Sequence, residues 1–198
     1  MSSRDCLLPV FLKLEGRTVI LVGGGAVACA RLSGLLRAKA RVTVVAPEVR
    51  PEITSSGVIV VLRRFVPSDL DGAWLVVAAA LPEVNREVVA AAEERRVFVN
   101  AVDDPGHASV YTGGVFRRGG VTIAVSTEGQ APALAGLLRE GLEAVVPEEI
   151  EAWVVAARKL RQQQRAEGVA MGERRPLLLE ALNRLYEAKG IERSEVKA

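Results

Sequence analysis

The chain has 198 residues, 49% of them hydrophobic and 25% charged, with a formal net charge of +2. That length holds one domain or one domain with a smaller appendage, the apolar content argues against disorder, and the charge is too small to suggest nucleic-acid binding. The longest apolar run, about Ala73 to Pro82, falls well short of the ~20 residues of a membrane span. Lys13 and Glu15 interrupt the start too early for a signal-peptide core, and Cys6 and Cys29 make neither a metal spacing nor a disulfide framework. A cytoplasmic protein away from membranes is expected. A single histidine, His107, argues against a resident zinc site.

Residues 17 to 25, "RTVILVGGG", form a β-branched run that ends in glycines, the pattern of a strand entering a tight turn. Residues 26 to 40 place Val27, Leu32, Leu35 and Leu36 at helical spacing. Further strands are predicted over 41–48, 57–65, within 69–80, and over 97–102, with a helix over 83–96 that carries Asn85 near its start. The unbroken apolar run of the fourth strand suits a parallel strand covered on both faces. Strands alternating with helices predict a doubly wound α/β sheet with right-handed crossovers.

After residue 110 the pattern changes. Residues 110 to 127 suggest two strands around an Arg-Arg-Gly-Gly turn, with Val121, Ile123 and Val125 sharing one face. A helix over 131–146 begins near Pro132, whose missing N–H costs nothing there. From Pro147 onward the chain is helical and charged, with a break near Gly168 to Gly172. Residues 158 to 175 hold six Lys or Arg and two Glu, a local attraction for an anionic ligand.

Gly23-x-Gly25-x-x-Ala28 sits between a predicted strand and a predicted helix, as the dinucleotide fingerprint requires. Gly23 allows the tight turn, Gly25 lets backbone approach a pyrophosphate, and Ala28 keeps helix close to strand. The helix N-terminus then offers unpaired N–H groups to the anion. Glu48, at the end of the second strand, either accepts from ribose hydroxyls, which favours NAD, or is a solvated loop residue. Arg41 and Arg50 keep NADP open.

In order along the chain, "LPVFLKLEGRTVILVGGGAVA", "ARVTVVAPE", "WLVVAAA…VN", "VFVNAVDDP", "VTIAVSTEGQAPALAGLLREGLE" and "MGERR" resemble the precorrin-2 dehydrogenase/sirohydrochlorin ferrochelatase family, the module that also begins siroheme synthase. The resemblance implies a Rossmann-type NAD-binding domain over 1–110, a strand-hairpin and helix dimerisation region over 111–147, and a small C-terminal helical domain over 148–198. It implies a homodimer that oxidises precorrin-2 to sirohydrochlorin with NAD⁺ as hydride acceptor. Some family members also insert Fe²⁺, and that second activity stays open here. The implied cofactor set is Gly23, Gly24, Gly25, Ala26, Val27, Ala28, Pro47, Glu48, Ala79, Ala80 and Asn100.

The family's strand-end motif, Asn-x-Val-Asp-x-Pro, falls on Asn100 to Pro105 and makes Asp103 the implied catalytic residue. Ligands of open α/β sheets lie beyond the carboxyl ends of the strands, so a carboxylate there is placed to accept the proton that a hydride acceptor leaves behind. The alternative is that Asp103 and Asp104 cap the turn before Pro105; that is the reading favoured for Asp104. His107 is read as a solvated residue, although Asp103 with His107 is the pair to test if iron is inserted. The substrate carries many carboxylates, so arginine forks are expected around it. Candidates are Arg117 and Arg118 in the hairpin turn, Arg139 in the following helix, and Arg174 and Arg175 in "GERR". Ser126 and Thr127, with the amides of their loop, are candidates for a propionate. The chain departs from relatives at Ala30-Arg31, Ala80, residues 112–114 and Ala131, the last replacing a serine phosphorylated in some relatives. A non-enzymatic NAD-sensing domain on the same fold is the competing reading.

Overall fold

A computed structural model describes residues 7–102 and 104–187. Asp103, the implied catalytic residue, lies outside the described residues. The rest fall into two compact units. One runs through Thr112 and includes Ser126–Ala131; the other comprises Gly113–Val125 and the residues from Pro132 on.

The first unit is a parallel sheet of β1 (Thr18–Val22), β2 (Arg41–Val45), β3 (Ile59–Val61), β4 (Leu75–Ala78) and β5 (Phe98–Ala101), in the order β3-β2-β1-β4-β5. Side chains on a strand alternate between faces, and both faces here are apolar. Val19 and Leu21 pack beneath Leu32 and Leu35 of α1 (Ala26–Arg37), with Ile53 of α2 (Pro51–Thr54) in the same cluster. Ile20 and Val22 turn the other way, into a cluster with Val88 and Ala92 of α3 (Pro82–Arg95). The order and the helices on both faces give the doubly wound α/β fold expected from the sequence.

Several boundaries differ from the expected ones. Helix α1 buries Ala28, Leu32 and Leu35, whereas Val27 and Leu36 face outward. Periodicity fixes the spacing of a stripe but not which edge of it meets the sheet. Strand β3 is three residues long because the chain leaves it for a one-turn helix at Pro67–Leu70. That turn, α2 and the single turn at Pro105–His107 are too short to show a period.

Strand β5 lies at one margin of the sheet, and at Val99 its outer edge is closed by its own chain. Val99 N–H donates to Ser109 Oγ (2.8 Å), and Val99 O accepts from the N–H groups of Ser109 (2.9 Å) and Val110 (3.0 Å). Asn100 Nδ2 adds a bond to Val110 O (2.8 Å).

The second unit holds the antiparallel hairpin of β6 (Gly114–Arg118) and β7 (Val121–Val125), then α4 (Pro132–Val145), α5 (Ile150–Ala166) and α6 (Met171–Glu187). The hairpin turn is Gly119-Gly120, both at positive φ (+52° and +82°), as a two-residue turn of this kind demands. Arg117 and Arg118 are therefore strand residues and not turn residues. Gly119 is needed twice over, because a Cβ there would lie 2.7 Å from the Glu151 backbone. Phe116 and Ala135 are the buried side chains where the hairpin meets α4. The expected break near 168–172 lies between α5 and α6, and Arg174 bridges it by donating Nε and Nη2 to Val169 O (3.0 and 2.9 Å). No helix among the described residues is long and apolar enough to cross a membrane.

Candidate cofactor and active site

The glycine turn joins β1 to α1 at the carboxyl edge of the sheet, and each of its glycines is required for a different reason. Gly23 sits at φ +123°, and a Cβ there would lie 2.2 Å from Ala79 O at the end of β4. Gly24 has no Cβ because one would lie 1.9 Å from Glu48 O in the loop after β2. Gly25 has ordinary extended backbone (φ −84°), yet nothing lies within 4 Å of where its Cβ would be. The first two glycines let neighbouring backbone close in. The third leaves room for something else.

That room is a cavity of about 740 Å³, within the range of small-molecule sites. Its walls include the glycine turn, Pro47 and Glu48 after β2, Arg64 and Phe65 after β3, Ala79 to Leu81 after β4, and Glu83, Val84 and Glu87 of α3. Two helices start here, neither with a side-chain cap, and they differ in what their first turns offer an anion. Helix α1 has no side-chain cap and no acid in its first turn. Helix α3 begins with Pro82, which has no N–H, and carries Glu83 in its first turn. Its neighbouring Ala80 N–H is already given to Asn85 Oδ1 (3.0 Å), and Asn85 is buried. An anion is therefore directed to the start of α1, at Ala26 and Val27. Ala28 is fully buried and keeps α1 against the sheet. A dinucleotide cofactor fits this arrangement: an open cradle at Gly25, free helix amides for a pyrophosphate, and the exposed Glu48 carboxylate on the cavity wall.

Asn100 is not on that wall. It is buried, its amide nitrogen is held by Val110 O, and its Oδ1 has no partner among the described residues. Beyond β5, Val102 N–H donates to Ala78 O (3.0 Å), which ties the strand end to β4. Asp104 faces His107: Nδ1 lies 2.9 and 3.0 Å from the two carboxylate oxygens, and the pair is solvent-exposed. Asp104 also receives His107 N–H at its backbone carbonyl (3.3 Å), while its carboxylate meets the His107 ring and accepts no backbone N–H among the described residues. Among the described residues no group of three His, Cys, Asp or Glu is placed to hold a metal ion.

The loop at 126–131 uses much of its own hydrogen-bonding capacity. Ser126 Oγ accepts from Glu128 N–H (3.1 Å), and Thr127 Oγ1 accepts from Ala131 N–H (3.2 Å). Gln130 N–H closes onto Thr127 O (2.9 Å) around Glu128 and Gly129, both at positive φ. The two hydroxyl protons remain to donate, whereas the amides of Glu128, Gln130 and Ala131 are committed. Among the candidate arginines of the second unit, Arg118 donates to Val146 O and stacks over Phe116 with 5.0 Å to the ring centre. Arg139 is held by Glu143 (2.7 Å) and Glu140 (2.9 Å). Arg117 is exposed and has no ion pair among the described residues.

Residues 10–114, which contain the whole parallel sheet, match a family model described as "Putative NAD(P)-binding". The chain belongs to this NAD(P)-binding family. Residues 118–144, covering β7 and most of α4, match a second model, described as "Sirohaem biosynthesis protein central". "Siroheme synthase 3" of Aeromonas hydrophila is 44% identical over 173 residues, covering 85% of this chain and 37% of that protein. "Siroheme synthase" of Photorhabdus laumondii is 39% identical over 181 residues, covering 89% and 38%. The chain thus spans somewhat over a third of the length of these relatives. A solved structure titled "SirC, precorrin-2 dehydrogenase" superposes with a TM-score of 0.70 at 27% identity, covering 88% of each chain.

The NAD(P)-binding match explains the glycine turn. Sequence reasoning found that turn but missed Arg64, Phe65, Leu81, Glu83, Val84 and Glu87 on the cavity wall. Only strand order and the direction of α3 bring these residues to the same edge, and no local motif marks them.

Proposed function

We propose that this chain is an NAD-dependent dehydrogenase that converts precorrin-2 to sirohydrochlorin in siroheme formation. The observation that carries the reading is the open cradle at Gly25 beneath an uncapped helix start, in a chain whose fold matches a precorrin-2 dehydrogenase across 88% of its length. When bound, the nicotinamide cofactor supplies the hydride acceptor. The amides at Ala26 and Val27 hold its pyrophosphate, and Glu48 accepts from ribose hydroxyls, the arrangement that favours NAD. Pro47, Ala79 and Ala80 present small or rigid surfaces that let the cofactor lie close to the sheet edge.

Oxidation also releases a proton. Asp103 is the proposed acceptor, because its place in the sequence follows β5 at the carboxyl edge that the glycine turn shares. Arg117, with an uncommitted guanidinium, and the hydroxyl protons of Ser126 and Thr127 are the proposed donors to substrate carboxylates. Arg118 and Arg139 would have to give up bonds they already make. We further propose that residues 111–147 pair two copies of the chain.

Absorbance of NADH formed from precorrin-2 and NAD⁺ tests the reading directly. Asp103→Ala is expected to lower kcat by about 10²- to 10⁴-fold while NADH binding persists. Full activity in that variant rules out the proposed base. Tight NADH binding without turnover of any tetrapyrrole supports the sensor alternative instead. A second step, sirohydrochlorin with Fe²⁺ and no NAD, reads iron insertion from the product spectrum.

A further inference from the structure

Strands β2 and β3 pair with Val45 opposite Val61. Three residues beyond each lie Glu48 and Arg64, and both line the cavity. The cavity therefore takes a carboxylate and a guanidinium from the ends of these two neighbouring strands, in addition to Glu83 and Glu87 from α3. The arginines nearest in sequence are committed. Arg50 is paired with Glu52 (2.9 Å), and Arg63 forks onto both oxygens of Asp69. Arg63 Nη1 also donates to the backbone carbonyl of Arg64 (2.9 Å), and the next side chain, Phe65, is buried. The backbone of Arg64 is fixed from both sides, yet its guanidinium has no ion pair among the described residues. Even Glu48, lining the same cavity, does not take it.

We infer that Arg64 reads the 2′ position of the adenosine ribose and admits a 2′-phosphate, so that the cavity takes NADP as well as NAD. The inference rests on the dinucleotide reading above and adds a specificity residue to it. A carboxylate alone accepts from the ribose diol and repels a phosphate in its place. A guanidinium lining the same cavity supplies paired donors of the geometry a phosphate needs. With both present, either form of the ribose finds a partner. The cation is exposed, so its contribution weakens with salt.

Equilibrium binding of NADH and NADPH to the full chain, followed by nicotinamide fluorescence, tests this without any turnover. The unsubstituted protein is expected to bind the two within about tenfold of each other, a difference of about 1.4 kcal/mol or less. Arg64→Gln should raise the ratio of NADPH to NADH dissociation constants by about tenfold or more, the scale of a lost charge-assisted pair. Arg64→Lys should restore part of the loss, and Glu48→Gln should move the ratio the other way. A ratio that Arg64→Gln leaves unmoved overturns the inference, as does NADH binding with no NADPH binding. Failure of both nucleotides to bind is a separate result: it removes the dinucleotide reading itself, and this inference with it.

Discussion

Gly24 and Gly25 are neighbours with opposite sensitivities. A methyl on Gly24 would overlap the Glu48 carbonyl at 1.9 Å, and backbone on both sides must move. Gly24→Ala is expected to cost about 1–3 kcal/mol in urea unfolding, the usual range for overpacking. A methyl on Gly25 meets nothing within 4 Å, and the residue's φ suits any amino acid. Gly25→Ala should leave stability within about 0.5 kcal/mol and weaken NADH binding about tenfold or more, because the methyl occupies ligand space. Equal loss of stability in both variants would contradict this division of roles. The Gly-x-Gly-x-x-Ala spacing was legible in the sequence because it is local. The need for glycine at 24 was not, because it comes from a loop that closes over it from the end of another strand. Asn100 was legible as a motif residue, but its burial and its bond to Val110 were not. They depend on how the chain returns along β5.

Between β3 and β4 the chain is held by a clasp. Arg63 donates to both Asp69 oxygens, and Asp69 also accepts from Val66 N–H (2.9 Å). The Arg63 guanidinium, aided by that N–H, holds the Asp69 carboxyl below its ordinary value near 3.8. A depressed carboxylate adds stability above its unfolded pKa and loses it as pH falls through the folded one. Thermal unfolding of Asp69→Asn should therefore fall below that of the unsubstituted protein at neutral pH, and the gap should begin to narrow below about pH 4 and close once pH is under the folded-state pKa. A gap that persists undiminished at pH 3 would mean that charge is not what the clasp supplies. At this scale the sequence was informative about which elements exist and less so about where they stop. Apolar runs continued past the strand ends because residues such as Ala79 and Ala80 line the cavity instead of extending β4. Arg117 and Arg118 were expected in a turn because arginine and glycine adjoin there. The positive φ at Gly119 and Gly120 places the turn on the glycines and leaves both arginines in the strand.

At the scale of the molecule, helix α4 carries an exposed apolar stripe among the described residues. On α4, Leu134, Leu137, Leu138 and Val145 are all largely exposed, and Gly141 opens onto empty space. Apolar side chains spaced along one face of a helix mark a face that meets a partner. Pairing of two copies through it is the expected outcome, with a dimer in sedimentation at micromolar concentration. Leu137→Glu should shift the protein towards monomer while NADH binding persists. A tight monomer before substitution would contradict the pairing. That the hairpin and this helix have too few partners was legible from chain length and apolar content; which residues of the helix lie exposed was not, because that depends on how the hairpin packs against Ala135.

The seal on β5 narrows the routes by which any companion can attach. With Ser109 and Val110 occupying the outward-facing N–H and carbonyl of Val99, an incoming strand finds no vacant ladder position at that residue. Association at that point has to proceed through side chains, which are slower to mispair than a bare backbone fringe.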